Sequence, residues 1–63
     1  MEKVEVIKVL MEKALSTRGT VDYITKNPEC WSTDDPEQQA RVMEMWQKDI
    51  SIFETAAAML VAG

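Results

Sequence analysis

The chain has 63 residues, with eleven acidic and seven basic side chains, no histidine and one cysteine. A chain this short makes one domain with a small core. A lone cysteine excludes both a disulfide staple and a Cys/His structural zinc site, so dense helix packing or oligomerisation must stabilise it. The net charge of −4 argues against a binder of phosphate backbones, which needs a basic face.

The first predicted element covers residues 2–15. Val4, Ile7, Met11, Ala14 and Leu15 share one helical face with Leu10 beside it, while Glu5 and Lys8 are spaced to pair at i,i+3. The β-branched residues between Val4 and Val9 would also suit a strand. Alternation breaks at Val6-Ile7, however, and the rest of the chain offers no second strand to pair with. Helix is therefore the reading. The charges of this element balance, with Glu2, Glu5 and Glu12 against Lys3, Lys8 and Lys13. Its opening, Met1-Glu2-Lys3, leads into no apolar signal-peptide core, so a cytoplasmic location is expected.

Ser16-Thr17-Arg18-Gly19-Thr20 reads as a break, with Gly19 as a C-terminal cap or turn. A short helix is expected to follow at 20–26, directing Val21 and Ile24 inward. Asn27-Pro28 ends it, because the residue before proline is pushed out of the α region. Residues 27–35 form an irregular connector in which Glu29, Asp34 and Asp35, with Glu37 just beyond, concentrate negative charge. Trp31 is the connector's one large apolar residue and is expected to fold back over the end of the helix pair.

The last element, 36–61, is a long helix. Asp35 is placed to cap it, Pro36 suits the first helical position, and Gln38 at the third would complete a capping box. Met43, Trp46, Ile50, Phe53, Ala57 and Leu60 alternate in steps of three and four, the seam of a helix that packs lengthwise on another. Glu37–Arg41 and Glu44–Lys48 face solvent in the favoured i,i+4 order. Val42, Met45, Ile52, Ala56 and Met59 make a second apolar stripe, interrupted by Asp49. The uncharged run Ala56 to Ala62 is far too short to span a bilayer, which takes roughly 20 residues, and no membrane association is expected.

Chemistry finds little foothold. A nucleophilic cysteine needs a base or a positive setting, and Cys30 has Glu29 beside it and no histidine anywhere. The acidic cluster Glu29, Asp34, Asp35 and Glu37 does not have EF-hand spacing, and Asp35 is already used as a cap. No pair of carboxylates converges on a pocket, so no enzyme activity, metal or cofactor is expected. Asp49 has two readings: an exposed edge position, or a buried polar group that sets register or meets a partner's Arg or Lys. The methionines read as core filler that also suits adaptable binding surfaces. Trp46, Phe53 and Tyr23 lack the flanking basic residues of a nucleic-acid stacking platform. Lys3, Lys8 and Lys13 point around the first helix, which disfavours a DNA-binding helix-turn-helix.

Trp46-Gln47-Lys48, Glu54-Thr55-Ala56-Ala57-Ala58 and the terminal Val61-Ala62-Gly63 resemble the last helix of small helical-hairpin chaperones of type III secretion. Residues 16–35 have no counterpart in that resemblance, which implies a helical export chaperone binding a partner's helix.

The fold expected is thus all-α, a small helical hairpin of helix 1, a short helix and a long C-terminal helix. The long helix would measure about 39 Å against about 21 Å for helix 1. That surplus points to a homodimeric helical bundle. Helices 1 and 3 would pack through Val4, Ile7, Met11 and Leu15 against Ile50, Phe53, Ala57 and Leu60. The partner or dimer interface is expected at Val42, Met43, Met45, Trp46, Asp49, Ile50, Ile52, Phe53, Ala56, Met59 and Leu60, with a connector surface at Trp31, Asp34 and Asp35. The function expected is a non-enzymatic protein-interaction module: an adaptor, inhibitor or regulator that binds protein and associates with itself. The alternatives are the export chaperone and a small acidic inhibitor or transcriptional regulator.

Overall fold

The structure, a computed structural model, describes residues 2–63. Helix α1, Lys3–Lys26, and helix α2, Pro36–Ala62, lie antiparallel. The 3-10 turn Pro28–Cys30 and an extended segment to Asp35 join them. The rod measures 43 × 17 × 17 Å, and no strand occurs among the described residues.

The predicted break at Ser16–Thr20 and the separate short helix do not occur: α1 runs unbroken through both. Gly19 keeps a negative φ inside the helix. The hydroxyls that would favour a break bond backward instead. Thr17 Oγ1 donates to the Lys13 carbonyl at 2.9 Å, Thr20 Oγ1 to Ser16 at 3.2 Å, and Thr25 Oγ1 to Val21 at 2.7 Å. Across the hairpin, the Arg18 guanidinium grips the Glu54 carboxylate, with Nε at 3.1 Å and Nη2 at 2.7 and 2.8 Å. The helix end expected at Asn27-Pro28 is present. Both the Asn27 backbone N–H and its side-chain amide donate to the Tyr23 carbonyl at 2.9 Å.

Continuity of α1 changes which of its residues pack. The seam is Ile7, Leu10, Ala14, Thr17, Val21 and Ile24, spaced three and four like the seam of α2. Val4 and Leu15, expected in the packed face, are 73% and 65% exposed. Met11 also lies at the edge. A heptad extended across the full 24 residues of α1 turns those positions to the flank. The α2 seam is where the spacing predicts: Ile50 and Ala57 are buried, and Met43, Trp46, Phe53 and Leu60 half-buried. The expected length surplus also disappears, since α2 exceeds α1 by only about 4 Å.

At the loop end, Trp31 folds back and stacks on Trp46, ring centroids 5.5 Å apart and planes 19° apart. Asp35 Oδ1 accepts from the Glu37 N–H at 3.0 Å, as a cap should. The capping box with Gln38 does not form, because the Thr33 hydroxyl stands between. It accepts from the Asp35 N–H at 3.2 Å and donates to Gln38 Oε1 at 3.0 Å. On the solvent face Glu37–Arg41 closes at 3.6 Å, whereas Glu44–Lys48 and Glu5–Lys8 do not close among the described residues.

Two substitutions check this architecture. Gly19→Ala meets no atom within 4 Å of the new Cβ and should stabilise the helix by about 1 kcal/mol. Thermal unfolding followed by circular dichroism should show a melting point raised by several degrees; a lowered one would mean that the helix breaks at Gly19. Ile50→Asp places an unpaired charge at a position 4% exposed. It should cost about 3 kcal/mol or more and strip the helical signal, with Lys48→Ala as a near-silent control.

Candidate protein-interaction surface

Two helices leave much of their apolar surface uncovered. Among the described residues only Ala14, Ile24, Ile50 and Ala57 are buried. The accessible surface is 4845 Å², against about 4,100 Å² for a compact protein of this mass. Among the described residues nine large apolar ones are exposed, and heptad position sorts them onto two sides.

With the seams as positions a and d, positions c and g of both helices form one broad side of the hairpin. From α1 it takes Val6, Val9, Lys13, Ser16, Thr20 and Tyr23. From α2 it takes Gln38, Val42, Met45, Asp49, Ile52, Ala56 and Met59. Val9, Tyr23, Met45, Ile52 and Met59 are exposed there. Lys13 and Asp49 are its only charged helical positions, and neither forms an ion pair among the described residues. The connector rises on this same side at the loop end, where Trp31, Ser32 and Thr33 gather with Val42 and Trp46 around a small cleft.

The opposite side carries positions b and e. Arg18–Glu54 crosses it near mid-length, with both side chains about half exposed. From that pair toward the chain ends lies an open apolar groove of about 500 Å³, lined by Ile7, Met11, Ala57, Ala58, Val61 and Ala62, with Glu54 at its inner limit. The alanines make the groove by being small. Exposed Val4 and Leu15 lie on the same side of α1. Beyond the pair, toward the loop, this side turns polar with Asp22, Thr25 and Gln47.

The structure divides the predicted interface residues between two settings. Met43, Trp46, Ile50, Phe53 and Leu60 face α1 within the chain. Val42, Met45, Asp49, Ile52, Ala56 and Met59 lie together on the broad side; Met45, Ile52 and Met59 are the most open, and Asp49 is half-buried. Of the connector residues, Trp31 is half-buried on Trp46, Asp34 is exposed, and Asp35 is exposed while capping α2. The contributions of Val9 and Tyr23 to the broad side were missed by sequence reasoning. Carrying the heptad of α1 through Thr17 would have found them.

No three His, Cys, Asp or Glu side chains converge on a point that could hold a metal ion among the described residues. No described helix is long and apolar enough to cross a membrane. Cys30 is exposed, and its Sγ and Tyr23 Oη are hydrogen-bonded at 3.6 Å. Compared with protein-family models, curated proteins and solved structures, the chain matches none of them. The resemblance to secretion chaperones therefore rests on the quoted α2 residues alone.

The hydrogen bond that the neutral Tyr23 phenol gives the Cys30 sulfur, and then the charge that sulfur can carry, raise the phenol above its ordinary value of 10.0. A raised pKa means that the folded chain holds this proton more tightly than the unfolded chain does. The contribution is present below pH 10.0 and is lost as pH rises through the folded value. Tyr23 is the only tyrosine, so ultraviolet titration reads it cleanly. Cys30→Ala should lower its midpoint, and an unchanged midpoint would show that the two groups do not interact.

Proposed function

We propose that this chain is a small non-enzymatic protein-interaction module, an adaptor, inhibitor or regulator that works through its apolar helical surfaces and associates with itself. The observation carrying this reading is the imbalance, among the described residues of a two-helix hairpin, between four buried residues and nine large exposed apolar ones. Exposed apolar surface on that scale marks interaction sites, and a hairpin with so thin a core gains stability by covering it. The acidic balance, −4 overall, accords with a protein partner in place of nucleic acid.

Enzyme chemistry is not part of this reading. Cys30 faces the Tyr23 phenol, and among the described residues no polar or charged side chain is buried.

Light scattering coupled to size exclusion over a dilution series tests the self-association. The expected mass is twice the chain's 7.2 kDa, falling toward one chain only at high dilution. A folded monomer at every concentration would overturn the self-association and leave both apolar sides to other proteins.

A further inference from the structure

We propose that the broad side is covered by a second copy of this chain, laid antiparallel across a two-fold axis near Ile52, with Lys13 of each chain meeting the partner subunit's Asp49. This rests on the self-association proposed above and specifies its geometry.

Three observations select this occupant and orientation. The first is area. Packing two such hairpins to the surface of an ordinary protein of twice the mass would bury about 2,800 Å² in total. Obligate homodimers bury about 2,000–5,000 Å². A two-fold interface must also be self-complementary, and the α2 stripe is symmetric in the required way. Met45 and Met59 lie seven residues either side of Ile52, so antiparallel α2 helices set each methionine against the other's counterpart.

The second is charge. Lys13 and Asp49 carry the only charges in the helical part of this side, one of each sign. They sit on opposite sides of mid-length, Lys13 toward the chain ends and Asp49 toward the loop. Within one chain that offset keeps them apart, and they form no ion pair among the described residues. Reversing one hairpin end for end about Ile52 brings each to within about one helical turn of the other's counterpart, a distance the lysine side chain can span. The antiparallel order also opposes the α2 helix dipoles. A parallel pair would leave Lys13 and Asp49 at different heights and unpaired.

The third is shape. The connector and Trp31 rise on this side at the loop end only. A parallel pair would set the two connectors face to face. In the antiparallel pair each rests over the other chain's open end, beside Val6, Val9 and Met59.

Cross-linking and charge reversal together decide the matter, beginning with the mass of the wild-type chain. A monomeric wild type defeats the self-association itself, and this geometry with it, before any variant is made. If the wild type is dimeric, Ile52→Cys in a Cys30→Ser background should form a covalent dimer in oxidised glutathione. Wild-type Cys30, held at opposite ends of the assembly, should not cross-link within it. A cross-link through Cys30 and none at position 52 would overturn the arrangement in favour of a parallel one.

Lys13→Asp and Asp49→Lys should each weaken the dimer about tenfold or more by placing like charges together, and the double exchange should restore most of the loss. Circular dichroism must show each variant still helical. If the position 52 cross-link is also absent, dimers indifferent to both single reversals would leave self-association standing and sink this interface.

Discussion

Two antiparallel helices can hide from water only the strip along which they touch. Here that strip is one seam per helix, and among the described residues it buries just two isoleucines and two alanines. Each alanine lets the backbones approach but removes little apolar surface, so the burial term is small for 51 helical residues whose backbone order must be maintained. The rest of the molecule follows from this thin core. It explains why local devices are set at the loop end: the Trp31–Trp46 stack, the Asp35 cap and the Thr33 relay. It also explains why so many apolar side chains remain exposed.

Arg18 and Glu54 form the one long-range ion pair among the described residues, 36 positions apart in sequence. A half-exposed pair of this kind adds at most about 1 kcal/mol, so its main contribution is to register. It crosses the hairpin where the seam is weakest, beside polar Thr17, and where α1 has its poorest helix formers. It also divides one flank into an apolar groove toward the chain ends and a polar stretch toward the loop. Position along the rod and side around it therefore both carry meaning in a molecule with very little interior.

The two uncovered sides differ in kind. The broad side is apolar along its length, carries one charge of each sign and ends in a raised connector, properties suited to a surface of the same length and shape. The groove side is apolar over half its length and closed by an ion pair, which suits a shorter apolar element. A dimer through the broad side would leave both grooves open at opposite ends of the assembly. In the proposed dimer that division would leave two separable surfaces, one covered by the second copy and one free.

Several features were legible in the residues themselves because their causes are local. Asp35-Pro36 starts α2, Asn27-Pro28 stops α1, and the spacing from Met43 to Leu60 marks the seam, each through dihedral limits, capping or periodicity within a few positions. The side occupied by Met45, Ile52, Ala56 and Met59 was readable for the same reason. The path of α1 was not. Ser16-Thr17-Arg18-Gly19-Thr20 has weak helix propensity taken alone, and a break there was the sound local reading. Tertiary structure decided otherwise, because Val21 and Ile24 pack on α2 and Arg18 reaches Glu54, contacts that exist only once the chain has turned back. Joining the two halves of α1 moved Leu15 and Val4 out of the core, brought Val9 and Tyr23 onto the broad side, and matched the two helix lengths. The sequence by itself determined the start of α2, the stop at Asn27-Pro28 and the seam of α2; packing between distant segments decided that α1 runs unbroken and which of its faces meets α2.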